Sequence, residues 1–211
     1  MNILKPQNIY NKELKNMCLS NVIESEELSY CNFENEEYNN TNLYKNEFEH
    51  CKFNNINMQN GILDMVTFRD VVFENCNFSN TEFNANFFVR CEFNNCKISG
   101  CNMSENRLYN VSFNGTNANY INLSIANMEN VLFKDTGLNN SYFQETKMKK
   151  TYFKNVDLTL SKFYRTSLNG IDLSNSKIEG ISVNIEDIKG AIIDQLQIID
   201  LIYLLGIKIK N

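Results

Sequence analysis

Residues 51–55, 76–80 and 91–95 read CKFNN, CNFSN and CEFNN, and they show the unit from which the chain is built. The central phenylalanine belongs to a longer series, because every fifth residue from Ile23 to Ile193 is apolar. Fourteen of the 15 phenylalanines lie in this series, and only Phe87 lies outside it. A period of five fits neither a 3.6-residue helix nor a two-residue strand. An unbroken fixed period predicts a repeat architecture, in which units bury their apolar residues by stacking on one another.

The other positions of the unit are also regular. Two residues before the centre, 22 of the 31 sites from Cys31 to Ile181 hold Cys, Ser, Thr, Val or Ala. Two residues after the centre, Asn recurs twelve times and Gly five times. Asn and Gly tolerate the left-handed backbone conformation that tight turns require. Each unit is therefore interpreted as two inward side chains, two outward side chains and a corner.

This unit resembles the A(D/N)LXX unit of the pentapeptide repeat family over about 170 of the 211 residues. The resemblance implies an all-β fold, a right-handed quadrilateral β-helix of about eight coils, with four units in each coil. Residues 20 apart should then stack. The sequence contains such a column of seven phenylalanines: Phe33, Phe53, Phe73, Phe93, Phe113, Phe133 and Phe153. We expect an N-terminal cap over residues 1–20, the β-helix over 21–193, and a C-terminal helix and strand over 194–211.

Composition narrows the functional class. Six of the seven cysteines occupy the small inward position, namely Cys31, Cys51, Cys76, Cys91, Cys96 and Cys101. Their spacing lacks the short pairs typical of zinc sites, which favours buried free thiols. No apolar run is long enough for a membrane span, and the N-terminal residues lack a signal-like apolar stretch. We therefore expect a cytoplasmic protein without a membrane partner.

No residue pattern predicts catalysis. The only histidine, His50, lies beside Glu49 and is interpreted as a solvated surface residue. Glycine-rich phosphate-binding loops are missing from the sequence. We expect no catalytic residue, no cofactor and no metal site, and hence a protein that is not an enzyme.

The net charge of −5 is unevenly distributed. Residues 20–110 carry a net charge of −8, whereas residues 111–211 carry +1 and include a basic cluster from Lys147 to Arg165. Eight coils at the strand spacing of ~4.8 Å make a rod of ~40 Å. Duplex DNA of that length carries about 24 phosphate charges, whereas this chain carries a net charge of −5.

Among outward apolar residues, Phe87, Val89 and Met65 form one hypothetical partner patch.

The C-terminal segment departs from the period of five. Asp194 and Gln197 match a capping box, and Gly206 fits a helix C-cap, so a short helix is predicted between them. Ile207 and Ile209 alternate with lysines as in a final strand. Residues 190–209 also resemble the ending of quinolone-resistance (Qnr-type) pentapeptide proteins. That resemblance implies a homodimer formed by the tail, to which Leu201, Ile202, Leu204 and Leu205 are expected to contribute.

Two functional hypotheses follow. In the first, the resemblance to Qnr-type proteins implies a DNA-mimicking rod that binds DNA gyrase or topoisomerase IV and protects them from quinolones. The rod would then take the place of duplex DNA on the topoisomerase and would bind no nucleic acid itself. Outward carboxylates would contact the topoisomerase: Glu34, Asp64, Glu74, Glu82 and Glu92. In the second, the chain is a protein-interaction rod with an unrelated partner.

Overall fold

The computed structural model describes residues 3–7, 9 and 12–206, the side chain of Leu205 excepted. The described residues form fourteen strands, namely β1 (Lys15–Asn16), β2 (Glu27–Ser29), β3 (Cys31–Glu34), β4 (Asn42–Tyr44), β5 (Glu47–Glu49), β6 (Lys52–Asn54), β7 (Ile62–Asp64), β8 (Thr67–Arg69), β9 (Val72–Glu74), β10 (Glu82–Asn84), β11 (Phe87–Asn94), β12 (Arg107–Asn114), β13 (Asn127–Lys134) and β14 (Lys147–Lys154). Near the ends lie helices α1 (Ile185–Ile188) and α2 (Ile198–Leu201) and the 3-10 helices Leu19–Asn21, Gln195–Gln197 and Ile202–Leu205. The strand expected at Ile207 and Ile209 lies outside the described residues.

A 20-residue step governs the strand pairing. Phe93, for example, lies opposite Phe73 on one side and Phe113 on the other, and the strands run parallel. Only β1 differs, because Lys15 pairs with Cys31 at a shorter offset. A step of 20 residues corresponds to four five-residue units in each coil. The chain therefore forms a four-sided parallel solenoid of about seven turns, against the eight expected, and the predicted β-helix is confirmed.

We number the four faces by the inward apolar column that each carries. Face 1 carries residues 28, 48 and onward to 168, face 2 carries 33 to 173, face 3 carries 38 to 178, and face 4 carries 43 to 183. An eleven-stranded sheet covers faces 1 and 2, because β11–β14 continue through the corner between them. Strands β4, β7 and β10 form a sheet on face 4, whereas face 3 is joined by single bridges.

Left-handed corners give the solenoid its four sides. Positive φ occurs at 27 non-glycine and five glycine corners between Ser25 and Gly190, and only Asn175 and Ile185 depart from it. Ile185 departs because it begins α1. Amide side chains also link corners of successive coils, as Asn55 Nδ2 donates to Asn35 Oδ1 at 2.8 Å. The corner position inferred from Asn and Gly is therefore real.

The predicted phenylalanine column is the centre of the core. All seven rings from Phe33 to Phe153 are at most 4% exposed. Their centroids are 4.5–5.4 Å apart, and the planes are within 29° of parallel. The apolar series weakens at its two ends. Ile23 is 70% exposed, because the strand ladder of its own face, face 4, begins only at β4, and Ile193 is only partly buried.

The small inward side chains fit the buried space between successive coils. Most hydroxyl groups there donate to the carbonyl 23 residues earlier, as Thr81 Oγ1 does to Met58 O at 2.6 Å. The six inward cysteines are buried and free, as predicted. Burial raises the pKa of the thiols of Cys51, Cys91 and Cys101 to about 12. These thiols therefore act as small apolar groups.

The predicted caps of the C-terminal helix are both present. Asp194 Oδ1 accepts the backbone N–H of Leu196 at 2.9 Å, and Gln197 Oε1 accepts that of Asp194 at 2.7 Å. Gln197 Nε2 also donates to Leu173 O at 2.9 Å, which fixes the tail to the last coil. Gly206 has a φ of 66° and ends the segment. The tail thus covers the core end, although within its described part only residues 198–201 are α-helical.

Candidate partner-binding surfaces

The five carboxylates expected to contact a partner lie on opposite sides of the rod. Glu34, Glu74 and Glu92 project from the strands of face 2. Asp64 and Glu82 project from face 4. Faces 2 and 4 are separated by face 1 on one side and face 3 on the other. A partner that contacts one side of the rod therefore reaches only part of this set.

The local contacts of these carboxylates also differ. Glu34 accepts a hydrogen bond from Asn54 Nδ2 at 2.7 Å, and Glu74 pairs with Lys52 Nζ at 2.7 Å. The Glu92 side chain is only 13% exposed and lies 3.9 Å from Lys5 Nζ. Glu34 is open to solvent and Glu74 is half-buried, so these two are better placed than Glu92 to contact a partner.

Further carboxylates on face 1 extend the acidic surface of face 2. Glu27 and Glu47 are exposed and lie opposite each other on β2 and β5, and Glu49 follows on the same strand. Like charges placed directly opposite each other destabilise a sheet. In a later coil of the same two faces, β14 contributes lysines, and Lys149 Nζ pairs with Glu129 at 2.6 Å. Faces 1 and 2 are thus acidic in the first coils and basic in later ones.

The N-terminal segment lies along the corner between faces 1 and 2. The Leu4 N–H donates to Asn110 Oδ1 at 3.2 Å, and the Gln7 N–H donates to Asp70 Oδ1 at 2.9 Å. Residues of the 1–20 segment therefore lie along the side of the rod as well as at its end, where Leu19 is fully buried. Val89 is 5% exposed, so it does not contribute to the patch hypothesised with Phe87 and Met65.

His50 belongs to this corner and is not solvated as expected. Its side chain is 13% exposed, stacks on Tyr30 at 4.7 Å, and has Nδ1 2.9 Å from Gln7 O. Among the described residues, Glu49, His50 and Asp70 form the one group with metal-ligand spacing. Asp70 is already satisfied, because Arg90 donates to both its oxygens at 2.6 Å. Its hydrogen bond to Arg90 also raises the pKa of that guanidinium.

The tail leaves apolar side chains exposed at the end of the rod. Leu196 is 78%, Ile198 52% and Ile199 66% exposed. Of the residues expected in the dimer, Leu201 and Leu204 pack partly against the core, and Ile202 is half-buried. The Leu205 side chain lies outside the described residues. An apolar groove of about 270 Å³ lies beside them, lined by Ile185, Ile188, Ile193, Ile198, Leu201, Ile202 and Leu204.

Exposed apolar side chains of the coils are concentrated on face 4. Nine large ones occur between residues 25 and 185, and eight belong to face 4 or its two corners: Ile62, Met65, Tyr120, Ile125, Tyr142, Leu160, Tyr164 and Ile185. The ninth is Tyr109, on face 1. Face 4 and its two corners hold only a third of all outward and corner positions, so the number of available positions does not explain the concentration. Sequence analysis missed this band, although an apolar residue at a corner position was its signal.

Comparison with known proteins agrees with this geometry. Residues 66–143 and 86–163 match the model of the pentapeptide repeat region. The chain therefore contains a pentapeptide repeat region over residues 66–163. The structure is similar to that of HetL, a pentapeptide repeat protein involved in heterocyst differentiation regulation from Nostoc sp. strain PCC 7120. That match has 12% identity and a TM-score of 0.52, and it covers 82% of this chain and 92% of HetL.

A second similar structure is that of full-length QnrB1, a plasmid-mediated fluoroquinolone resistance protein. It shares 18% identity at a TM-score of 0.40, over 86% of this chain and 99% of QnrB1. The similarity to HetL, at 12% identity, shows a shared fold alone. Curated proteins give no match to this chain. Within its described part, it has no helix that is long and apolar enough to cross a membrane.

Proposed function

We propose that this chain is a non-enzymatic rod that binds a type II topoisomerase, either DNA gyrase or topoisomerase IV. In this proposal it imitates duplex DNA and protects the enzyme from quinolones. The supporting observation is the acidic surface of the first coils on faces 1 and 2. Its carboxylates stand on β-strands that repeat every ~4.8 Å along a rod. A DNA-binding surface attracts negative charge arranged along a rod, and salt weakens that attraction.

The positions of the carboxylates decide which of them should matter. Glu34 and Glu74 stand on face 2, which shares one sheet with face 1, where Glu27, Glu47 and Glu49 lie. Asp64 and Glu82 stand on face 4 near the exposed Ile62 and Met65. We therefore expect the face 2 pair to contribute to topoisomerase binding and the face 4 pair to contribute little.

The test compares two double variants that remove the same charge. One is Glu34→Gln with Glu74→Gln, and the other is Asp64→Asn with Glu82→Gln. Binding to gyrase and to topoisomerase IV is measured over a range of salt concentrations. We expect the face 2 variant to bind at least tenfold more weakly at low salt, and the face 4 variant to bind like the wild type. Equal effects of both variants, or binding that does not change with salt, would contradict DNA mimicry by this surface.

The alternative function is an interaction rod for an unrelated protein. The apolar band of face 4 favours it, because duplex DNA has no comparable apolar face to imitate. Tyr and Met are enriched, and charged residues depleted, at the centres of protein interfaces. Wild-type protein that binds neither topoisomerase at low salt would favour this alternative.

We also propose that the chain forms a homodimer through its C-terminal end. The apolar side chains of Leu196, Ile198 and Ile199 are more than half exposed in the single chain, and the groove beside α2 is apolar. Contiguous exposed apolar surface is typical of protein contacts. We expect the double variant Leu196→Ser with Ile199→Ser to weaken self-association, as measured by sedimentation. A wild-type mass of one chain at micromolar concentration would contradict the homodimer.

A further inference from the structure

The tail lies next to the apolar band of face 4. The Tyr203 hydroxyl donates to the backbone carbonyl of Ile181, in the last coil. Burial raises the pKa of Tyr203, and the phenol of Tyr164 contributes in the same direction. Tyr203 is 47% exposed and Tyr164 is 41% exposed. Exposed apolar surface therefore continues from the coils of face 4 onto the C-terminal end.

Three members of the band are unfavourable for the isolated chain. Tyr120, Ile125 and Leu160 occupy corners with φ of 63°, 61° and 60°. A left-handed backbone is costly for residues other than Gly, Asn and Asp, and most of all for a β-branched one such as Ile125. These side chains are also 52–60% exposed, so they gain little burial in return. Folding of one chain does not account for apolar residues at these corners.

The end of the rod alone is small for a stable interface. One side of a coil is a five-residue unit, which at ~3.3 Å per residue spans at most ~16 Å and gives a cross-section of ~250 Å². Stable interfaces bury about 800 Å² on each partner. A dimer of standard size therefore needs surface beyond the cross-section. The upper part of face 4, from Tyr120 to Ile185, adjoins the tail and carries exposed apolar side chains.

We propose that two copies overlap side by side, through the tail and the upper part of face 4 from Tyr120 to Ile185. This inference rests on the proposed homodimer and specifies its geometry. Charge favours an antiparallel arrangement. Glu145 and Arg165 stand on one corner, one coil apart, near the middle of the band, and they are 3.0 Å from each other. A two-fold axis that crosses the band between them sets Glu145 of one copy against Arg165 of the second copy, whereas an axis along the rods would set this corner against the opposite corner of face 4, where Asn140 and Leu160 lie.

The test uses corner substitutions that the backbone favours. The triple variant Tyr120→Asn, Ile125→Asn and Leu160→Asn removes apolar surface and supplies the residue most common at these corners, so its fold should be retained. Met65→Asn is the matched control, because Met65 is 50% exposed on the same corner column as Ile125 but lies in a lower coil. Dimer dissociation constants are measured by sedimentation, with melting temperatures as the check on folding.

We expect the triple variant to dissociate at least tenfold more readily than the wild type, and Met65→Asn to behave like the wild type. Small-angle scattering should show a wild-type dimer well short of twice the length of one rod. A dimer weakened by Leu196→Ser with Ile199→Ser but unaffected by the triple variant would overturn the overlap and leave the tail dimer standing. A wild-type chain that is monomeric would overturn both.

Discussion

Truncating one ring in the phenylalanine column tests the core most severely. Phe93 is fully buried, and its ring centroid lies 4.5 Å from that of Phe73 and 4.9 Å from that of Phe113. Phe93→Ala removes the burial of a large side chain, worth ~1.5–3 kcal/mol. It also removes two stacked aromatic pairs, each worth ~0.5–1.5 kcal/mol. Together these terms agree with the ~3–5 kcal/mol measured for such substitutions in well-packed cores.

The assay is urea unfolding with hydrogen exchange as a second measurement. In a repeat protein each coil is stabilised by its neighbours, so loss at one coil can open the structure locally before it unfolds globally. We expect amides of the coils that contain Phe73, Phe93 and Phe113 to lose the most protection. Asn84→Ala is the control, because Asn84 is exposed, and it should change the free energy of unfolding by under ~0.5 kcal/mol. A cost below ~1 kcal/mol for Phe93→Ala would refute the packing argument.

Four further predictions concern single groups. Thiol titration of the native protein should detect Cys18, which is exposed, and leave the buried Cys91 unreactive until unfolding, because its pKa is raised to about 12. Ala85→Asn should raise the free energy of unfolding by ~0.5–1 kcal/mol in urea, since φ is 51° at this corner; a decrease would contradict the corner argument. Gln197→Ala should lower the melting temperature and increase exchange in the tail, through loss of its bond to the last coil, at ~1–3 kcal/mol. Hydrogen bonds from Ser174 hold the pKa of Asp172 below its ordinary value, so the stability that it contributes is present above about pH 4 and is lost as pH falls further; Asp172→Asn should flatten this part of the pH dependence of unfolding.

Much of the fold could be predicted because its determinants are local. The five-residue period, the small inward residues and the Asn or Gly corners each repeat within the unit, and the 20-residue phenylalanine column gives the number of sides. The capping box of Asp194 and Gln197 is likewise a short-range pattern, and the structure contains it. Local patterns of this kind specify a solenoid, since each coil contacts only its neighbours.

Contacts that are distant in sequence could not be predicted in the same way. Gln7 and Asp70 are 63 residues apart, and no periodicity indicates that the N-terminal segment lies on that corner. The burial of Val89 and the covered position of His50 therefore went unnoticed. The division of the carboxylates between two faces could have been predicted, because the 20-residue period already assigns Glu34 and Glu82 to opposite faces. The apolar corners, such as Leu160, were likewise visible in the sequence.

The most direct test of the proposed function is a gyrase supercoiling assay in ciprofloxacin, with and without the wild-type protein. The proposal predicts that the protein restores supercoiling in the presence of the drug, that added salt reduces the effect, and that Glu34→Gln with Glu74→Gln reduces it more than Asp64→Asn with Glu82→Gln. Supercoiling that stays inhibited at every concentration of the protein, for gyrase and likewise for topoisomerase IV in its decatenation reaction, would contradict it.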